Sequence, residues 1–341
     1  MIDLERRETA NEYISFDEAR QLSRDLMDQA LRSTPAPFRP RTEHLTGAHG
    51  KFLRAHALLA CAQDEAGVKP SAAKAAAAVE LLHLATLVHD DVIDNADTRR
   101  GLPTLMKKFG TRQAVISGDY IFCLALRLAA EAASNEHDLN QDLPNVMEKI
   151  CMGELLQSMN YRNFTLSGTG YLRIISGKTA ALFEGSFYAG AMLCASGRSE
   201  AKQYAAIGWH LGMIFQLADD CMDYEATLEQ AKKPVLSDFE QGVVTLPLIV
   251  AMKENQDVRK RADSESITKE EIRQAVLESG GITFTRRISQ IYYDRALDLL
   301  NSISAPLIKK EKIASLVYQA LTGSNSRKPP EAPQAPQISN G

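Results

Sequence analysis

Aromatic residues are scarce in this chain: they make up 6% of its 341 residues, and tryptophan occurs once. Strands draw heavily on aromatic and β-branched side chains, so this shortage argues against an all-β fold. No segment alternates apolar and polar residues with period two between hairpin signals, and we therefore expect no sheet. Long Ala- and Leu-rich stretches repeat with helical period instead, which predicts an all-α protein.

Cysteines are few, and long apolar runs are missing. The cysteine count is odd and no pair has the C-x-x-C spacing, so we expect reduced, small apolar core residues in a reducing cytosol. They are Cys61, Cys123, Cys151, Cys194 and Cys221. The N-terminal MIDLERRETA is charged where a signal peptide is apolar. The longest apolar stretch, residues 75–88, is too short to span a bilayer. We expect a cytoplasmic protein without stable membrane insertion.

An excess of basic residues is also missing. Lys and Arg number 39 against 43 Asp and Glu, a net charge of −4, so nucleic acid is not an expected partner. We expect a helix at about 16–32 and a Pro-broken connector within 1–42, the main all-α domain over 43–322, and a disordered Pro-rich tail over 323–341. Further helical blocks are predicted at 71–95, 114–133, 144–160, 171–196, 201–224, 244–254, 269–279 and 284–303.

Two acidic strings stand out against this background. Each has the form D-D-x-x-D and ends an apolar helix; they are Asp90-Asp91-Val92-Ile93-Asp94 and Asp219-Asp220-Cys221-Met222-Asp223. At roughly 100° per residue, the three carboxylates of each string share one helix face. A single acidic run is usually a solvated face, but three like charges repel unless a cation compensates, and here the pattern occurs twice. Carboxylates are hard oxygen ligands, and no Cys or His pattern around them indicates zinc, so we predict Mg²⁺ between these carboxylates and the phosphates of a polyphosphate substrate.

One histidine and several basic residues accompany these clusters. His83 lies seven residues before Asp90, within roughly 20° of the same helix face, although a lone histidine there is as often a core residue. Singly, the basic residues are ordinary surface cations, but together they would neutralise a diphosphate. They are Lys51 and Arg54, which GKFLRAH places three apart on one helix face, Arg99 and Arg100 after a turn, Lys178 beside Thr179 near a helix kink, and Lys233.

These motifs resemble those of the trans-isoprenyl diphosphate synthases, the polyprenyl synthetase family, over about residues 45–300. LVHDDVIDNADTRRGLPT is similar to the family's first aspartate-rich region, and FQLADDCMDY with the following KKPVLSDFEQGVVTLPLI is similar to the second. Between them, GDYIF, GELLQ and SGKTAALFEGS stand where the family carries its GD, GE and GKT elements. Two D-D-x-x-D strings, with RRG after the first and FQ before the second, make the resemblance specific.

The resemblance implies the isoprenoid synthase fold, a bundle of ten or more helices around a deep central cavity, in a dimeric prenyltransferase. It implies that Mg²⁺, about three ions per active site, holds an allylic diphosphate. The implied metal site comprises Asp90, Asp91, Asp94, Asp219 and Asp223, with Asp220 supporting the metal-bound waters. Positions matching the allylic diphosphate site are Arg99, Lys178, Thr179, Gln216 and Lys233. Positions matching the isopentenyl diphosphate site are Lys51, Arg54, His83 and Arg100. The implied catalytic set is Asp90, Asp91, Asp94, Lys178, Asp219 and Lys233.

Several positions depart from the family pattern. Phe52 and Ala55 replace an expected Arg and Pro in the stretch that contains Lys51 and Arg54. After the second cluster, the departures are Lys232 in place of a Gly, Leu236 in place of a Gly, and Val243 where many members have a Lys. Because the aspartates are intact, we expect activity with altered substrate affinity or loop closure.

Product length depends in this family on the residues just before the first aspartate cluster. Here Ala85 and Thr86 are small, so we expect the product to grow beyond farnesyl length, with Leu81 and Leu82 as candidate floor residues. A hexaprenyl to octaprenyl product is expected, with heptaprenyl at the centre of that range. The pattern is similar to homodimeric synthases and also to the catalytic component of two-component heptaprenyl synthases, so a heterodimer with a small subunit stays open.

Four other interpretations were weighed. A short-chain farnesyl or geranylgeranyl synthase differs only in product length, and a class I terpene cyclase shares only the first cluster. An HD-type metal phosphohydrolase would use His89-Asp90 with His56 or His83, but it leaves the second cluster unexplained. A non-enzymatic regulatory subunit of a two-component synthase would typically have lost the aspartates.

Overall fold

The computed structural model describes residues 13–46, 50–133, 137–194, 196–225 and 236–323, with only the backbone considered at 137–144. The predicted site residue Lys233, its neighbour Lys232 and the tail beyond residue 323 lie outside the described residues, as do residues 1–12. Within these ranges almost all regular structure is helical, which confirms the all-α prediction.

The elements follow one another along the chain with short connections. The first are α1 (Phe16–Arg32), α2 (Arg39–Glu43), α3 (Leu53–Ala62) and α4 (Pro70–Ile93). A ribbon of β1 (Thr98–Arg99) and β2 (Leu102–Pro103) leads to α5 (Leu105–Phe109), α6 (Thr111–Ala132) and α7 (His137–Met159). Next, α8 (Gly168–Ile175) continues through a π-helical turn (Ser176–Ala180) into α9 (Ala181–Leu193), followed by α10 (Arg198–Glu225). The last are α11 (Ser237–Glu240), α12 (Leu246–Glu254), α13 (Gln256–Asp263), α14 (Lys269–Glu278), α15 (Gly281–Ser302) and α16 (Leu307–Thr322).

Helix α4 lies at the centre of the bundle. It begins at Pro70, has no further Pro or Gly, and is apolar around most of its circumference, as a buried helix must be. It packs most extensively on α6 and also against α1, α3 and α9. Fully buried alanines, including Ala72, Ala73 and Ala77, let these neighbours approach closely. The predicted N-terminal helix therefore belongs to the same packed bundle.

Two helices, α4 and α6, are long and apolar enough to cross a membrane by length and composition alone. Most of the apolar window of α4 is buried inside the protein, and α6 packs its length against α4. A core helix of a globular bundle passes the same test, and the packing accounts for α4 without a membrane.

The expectation of no sheet was wrong in one place. β1 and β2 pair antiparallel, with Thr98 opposite Pro103 and Arg99 opposite Leu102. The two residues between them, Arg100 and Gly101, have φ of 52° and 79°. Positive φ at both central positions is the requirement of a tight type I′ hairpin. Strands of two residues are too short to show an alternating pattern.

Two smaller expectations also need correction. Cys61 and Cys221 are buried, but Cys123 and Cys151 are exposed rather than in the core. Lys51 does not share a helix face with Arg54, because α3 begins only at Leu53 and Phe52 has a left-handed φ of 54°. The backbone therefore turns sharply between the two basic residues.

Candidate active site

The first acidic cluster lies at the C-terminal end of α4, where the helix dipole is negative and carboxylates are unfavourable. Asp91 is buried, and its Oδ1 lies 2.6 Å from Arg99 Nε on β1. Burial raises the pKa of Asp90 to about 6; Lys178 and Arg99 oppose that rise, while Glu154 and Asp94 add to it. Negative charge is therefore in excess here, a setting that favours a bound cation.

Lys178 joins this cluster from the π-helical turn. Its Nζ lies 2.7 Å from Glu154 Oε2 on α7, and its charge acts on both Asp90 and Asp94. A π turn inserts an extra residue into a helix, which turns Lys178 and Thr179 out of the regular spacing of α8 and α9. At Gly153 the backbone of α7 lies so close to that turn that an added Cβ would overlap the backbone nitrogen of Lys178. The GE element on α7 and the GKT element in the π-helical turn are thus in direct backbone-to-backbone contact.

The GD element positions the first cluster from α6. His89 Nε2 lies 3.3 Å from Asp119 Oδ1 and 3.2 Å from the Val115 carbonyl oxygen. A Cβ at Gly118 would overlap the His89 ring, so only glycine permits this contact. His89 is thereby tied to α6, which leaves the HD-type interpretation without support.

The second acidic cluster occupies the last turns of α10, and its three carboxylates have different surroundings. Asp219 is exposed and lines a large cavity. Asp220 is fully buried and accepts hydrogen bonds from the Tyr171 hydroxyl and, at 2.9 Å, from Gln216 Nε2. Asp223 accepts from the backbone N–H groups of Ser237 at 3.2 Å and Asp238 at 3.3 Å. Asp220 therefore ties α10 to α8, and Asp223 holds the start of α11.

Thr179 and Gln216 extend this hydrogen-bond chain. Thr179 Oγ1 donates to Gln216 Oε1 at 2.8 Å, and the same Gln216 amide donates to Asp220. Burial raises the pKa of Asp220 well above its usual range, and Asp238 adds to the rise. The predicted residues of the GKT element and of the second cluster are therefore directly connected.

Arg54, His83 and Arg100 form a second basic group near α3 and α4. The Arg54 guanidinium lies 4.6 Å from the Phe183 ring centroid, and its Nε is buried without a hydrogen-bond partner. Burial lowers the pKa of Arg54 to about 10, with Arg100 adding to the fall and Glu80 opposing it. Burial, followed by Arg54, Arg100 and Arg99, holds the pKa of His83 well below its usual range. His83 is thus held neutral within the electrostatic reach of Arg54, Arg100 and Arg99.

Glu80 is a site residue that the sequence reasoning did not select. It is 7% exposed, and its Oε1 accepts a 2.9 Å hydrogen bond from the Ala55 backbone N–H at the start of α3. Its charge also acts on Arg54 and Arg100. The signal was visible in the sequence: a carboxylate inside an otherwise apolar Ala- and Leu-rich helix is almost always paired when buried.

An apolar cavity runs along α4 away from the aspartates. Its lining consists of Leu58, Ala75, Ala78, Val79, Leu82, Ala125, Leu126, Ala129, Ala132, Ala133, Val146, Leu182, Gly185, Tyr188 and Ala189. Leu82 belongs to this lining, whereas Leu81 is fully buried and does not. Ala85 and Thr86 lie on the same helix, one turn closer to Asp90. Helix α4 thus carries a charged group at its C-terminal end and lines an apolar cavity with earlier turns.

The donor set fits magnesium bound together with a substrate. In the described part of the chain, no three His, Cys, Asp or Glu side chains converge closely enough to chelate an ion by themselves. Mg²⁺ commonly uses one or two carboxylates and takes its remaining ligands from phosphates and water. Half-buried Asp90 and Asp94, with a raised pKa, and exposed Asp219 meet that requirement.

Comparison with solved structures identifies the fold. The chain superposes on heptaprenyl diphosphate synthase from Staphylococcus aureus with a TM-score of 0.82 at 28% identity, covering 91% of this chain and 98% of that chain. Polyprenyl synthase from Caulobacter crescentus, complexed with calcium and isoprenyl diphosphate, gives a TM-score of 0.80 at 31% identity over 92% and 96% of the two chains. The bundle is therefore the all-α isoprenoid synthase fold.

Sequence comparison gives the family. The family model described as Polyprenyl synthetase matches residues 37–279. Heptaprenyl diphosphate synthase component 2 of Geobacillus stearothermophilus is 34% identical over 81% of this chain and 87% of the relative. Octaprenyl diphosphate synthase of Escherichia coli is 33% identical over 66% and 71%, and geranylgeranyl diphosphate synthase of Sulfolobus acidocaldarius is 30% identical over 77% and 83%. The chain belongs to the polyprenyl synthetase family and is a prenyltransferase of isoprenoid biosynthesis.

Proposed function

We propose that this chain elongates an allylic diphosphate with isopentenyl diphosphate and releases a medium- to long-chain all-trans polyprenyl diphosphate. The observation that carries the proposal is the convergence of Lys178, Asp90 and Asp94 at the C-terminal end of α4, the same helix that lines an apolar cavity with Ala75, Ala78 and Leu82. A charged end that binds a diphosphate and an apolar end that accepts a hydrocarbon match the two halves of such a substrate. The Caulobacter crescentus relative was solved with isoprenyl diphosphate, which supports the substrate class.

The residues divide the chemistry between them. Mg²⁺, when bound, neutralises the allylic diphosphate and stabilises the negative charge that develops as the C–O bond breaks. Asp90, Asp91, Asp94, Asp219 and Asp223 are the proposed metal carboxylates, and about three ions would occupy the site. Lys178 and Arg99 offset leaving-group charge directly. The buried group of Arg54, His83 and Arg100, with Lys51, orients isopentenyl diphosphate so that its double bond attacks the allylic carbon.

The cavity serves the second requirement of the reaction, which is the exclusion of water. An allylic cation in contact with water would be hydrolysed, so the reacting carbon must sit among apolar side chains. Leu58, Val79, Leu82 and Leu182 supply such walls. After condensation, a proton leaves the new chain and is taken up by the departing diphosphate, so no side-chain nucleophile is needed.

For the product we propose hexaprenyl to octaprenyl length, with heptaprenyl at the centre. The small side chains of Ala75 and Ala78 line the α4 wall of the cavity, and Ala85 adds a small side chain between that wall and Asp90 on the same helix. The heptaprenyl and octaprenyl relatives support this range. A geranylgeranyl product is the second candidate, because a geranylgeranyl synthase is similar at 30% identity.

For the assembly we propose a cytoplasmic homodimer, with a heterodimer as the alternative. Helices α6 and α7 expose large apolar side chains to solvent, among them Ile116, Met152 and Leu155. Exposed apolar side chains of this kind are typical of surfaces that a second chain covers. The name component 2 of the Geobacillus stearothermophilus relative supports the heterodimer alternative.

The decisive experiment is a product assay on the purified full chain with isopentenyl diphosphate, allylic substrates of several lengths and Mg²⁺. We expect products of 30 to 40 carbons, or about six to eight isoprene units, and complete loss of activity with EDTA. Asp90→Asn should lower kcat by at least about 100-fold, because one metal carboxylate is lost. Asp97→Asn is the matched control, since Asp97 pairs with Lys107 at the surface and should retain activity.

Two results would contradict the proposal. A sole product of 20 carbons or fewer, about four isoprene units, would show that the cavity ends earlier than its lining indicates. Turnover that persists in EDTA, or equal turnover of the Asp90→Asn and Asp97→Asn variants, would remove the metal site. Activity that appears only after a second protein is added would favour the two-component assembly.

A further inference from the structure

A second cavity, lined by residues of both charges, opens beside Asp219, and we call it the α1 cavity. Its basic lining residues are Arg20, Arg24, Lys51 and Lys312, and His56 lies among them. Three carboxylates, Asp17, Asp219 and Glu311, also line it. Two of the four basic residues come from α1 and one from α16, elements that carry none of the motifs that point to the family. Asp219 of the second acidic cluster and the proposed substrate-binding residue Lys51 both line it, so the α1 cavity borders the candidate active site.

The two α1 arginines of this cavity differ in what they contact. Arg20 lies 3.1 Å from Asp17 Oδ1 and donates to His56 Nε2 at 2.9 Å. Arg24 has no carboxylate partner among the described residues, and its Nε is buried without a hydrogen bond. A guanidinium that is partly removed from water and left without an anion is unfavourable unless a ligand completes it. Of the two α1 arginines, Arg24 is therefore the one whose guanidinium is open to an anionic ligand.

Arg24 lies beside position 52, where this chain has Phe in place of an expected arginine. Phe52 replaces the arginine expected between Lys51 and Arg54, and it is buried at 3% exposure. The Arg24 guanidinium lies 5.0 Å from the centroid of the Phe52 ring, within the range of a cation–π contact. Helix α1 thus places a positive charge beside position 52, which itself carries none.

We propose that Arg24 of α1 binds the diphosphate of isopentenyl diphosphate, with Phe52 as the platform that positions its guanidinium. This inference rests on the proposed function and adds to it a substrate-binding residue outside the family motifs. Lys51 is adjacent in sequence to Phe52 and also lines the α1 cavity. It therefore links Arg24 to the proposed isopentenyl diphosphate group of Arg54, His83 and Arg100. The position of α1 over α3 and α4 therefore contributes to substrate affinity as well as to the core.

The test measures equilibrium binding by calorimetry on the full chain with Mg²⁺, using isopentenyl diphosphate alone and farnesyl diphosphate alone. Removing a charged hydrogen-bonding group typically costs about 1.5–3 kcal/mol, so Arg24→Gln should weaken isopentenyl diphosphate about 10- to 100-fold. Arg24→Lys should recover part of that loss, because it restores the charge. The Kd for farnesyl diphosphate should change by less than about threefold, because Arg24 is not among the charges that act on Asp90, Asp91 or Asp94.

Arg32→Gln is the matched control, because Arg32 is an exposed arginine on the same helix and does not line the α1 cavity. It should bind both ligands like the wild type. Arg24→Met keeps the aliphatic packing over Phe52 and serves as a second neutral variant, with circular dichroism to verify its folding.

The inference is overturned if folded Arg24→Gln and Arg24→Met bind isopentenyl diphosphate as the wild type does, or lose farnesyl diphosphate equally. Because these measurements need no turnover, they are independent of the product assay. A chain that binds isopentenyl diphosphate through Arg24 but makes no product would contradict the proposed function alone.

Discussion

The buried polar residues of this site are hydrogen-bonded to specific partners. Glu80 is paired with the start of α3, and Asp220 with Tyr171 and Gln216. His56 follows the same rule, because it accepts a hydrogen bond from Arg20 and so must stay neutral at Nε2. Such a hydrogen bond depends on the protonation state of its partners, so it can make the free energy of unfolding depend on pH.

His56 makes the stability of the protein depend on pH. Burial, followed by the charges of Arg20 and Arg24, lowers its pKa to about 4, whereas an unfolded histidine titrates near 6.5. Between these values the unfolded chain binds a proton that the folded chain does not. The free energy of unfolding should therefore fall as pH decreases from 7 to 4, by at most about 3 kcal/mol from this residue.

The measurement is urea unfolding of the wild type and of His56→Gln at several pH values. Glutamine retains an acceptor for Arg20 but does not titrate, so the variant should lose less stability on acidification than the wild type. Parallel pH curves for the two proteins would show that His56 contributes nothing to this dependence.

Helices and turns of the site are placed by close backbone approach rather than by side-chain length. At Gly153, α7 touches the π-helical turn that presents Lys178, and Lys178 in turn pairs with Glu154. The neighbouring contact between Gly118 and His89 fixes α6 against the end of α4. The helices that carry charged groups are thus held at distances that a single methyl group would change.

Gly153→Ala should test that placement. The added Cβ overlaps backbone atoms of Gly177 and Lys178, which cannot rotate away, so α7 and the π turn must separate. We expect a loss of about 1–3 kcal/mol of unfolding free energy and at least a tenfold fall in kcat. Gly197→Ala, where no atom lies within 4 Å of the new Cβ, should change neither quantity. Wild-type kcat in Gly153→Ala would show that this contact does not position Lys178.

The molecule as a whole is a bundle whose apolar interior has two uses. One part is close-packed core, and the other lines the apolar cavity beside α4. Leu81 and Leu82 are adjacent and both buried, yet only Leu82 lines the cavity. Substitutions at these two residues can therefore separate the effect of core packing on stability from the effect of cavity shape on product length.

Leu82→Ala and Leu81→Ala form a matched test of product length. Each truncation should cost about 2–5 kcal/mol of stability. Leu82→Ala should also shift the product distribution to longer chains, because it lengthens or widens the cavity, whereas Leu81→Ala should leave the distribution unchanged. Chromatography of the products gives the answer. A longer product from Leu81→Ala would show that Leu81, not Leu82, limits the chain.

The sequence by itself predicted the helices, the family and most of the charged groups. Helical period in long Ala- and Leu-rich stretches is a local signal, and the helix expected at about 16–32 is α1 at Phe16–Arg32. The D-D-x-x-D spacing likewise places carboxylates on one face of a helix without reference to any other part of the chain. The two-residue ribbon and the exposed Cys123 and Cys151 were missed because they depend on neighbours.

Only the tertiary structure decided which of these residues face one another. It turned Lys51 away from the helix of Arg54, buried Asp220 under Tyr171 and placed Arg24 of α1 over Phe52. It also separated Leu82, on the cavity, from Leu81, in the core. Periodicity reports the direction of a side chain around its own helix, but burial, pKa and ligand contact depend on the helix that packs against it, and that neighbour comes from a distant part of the chain.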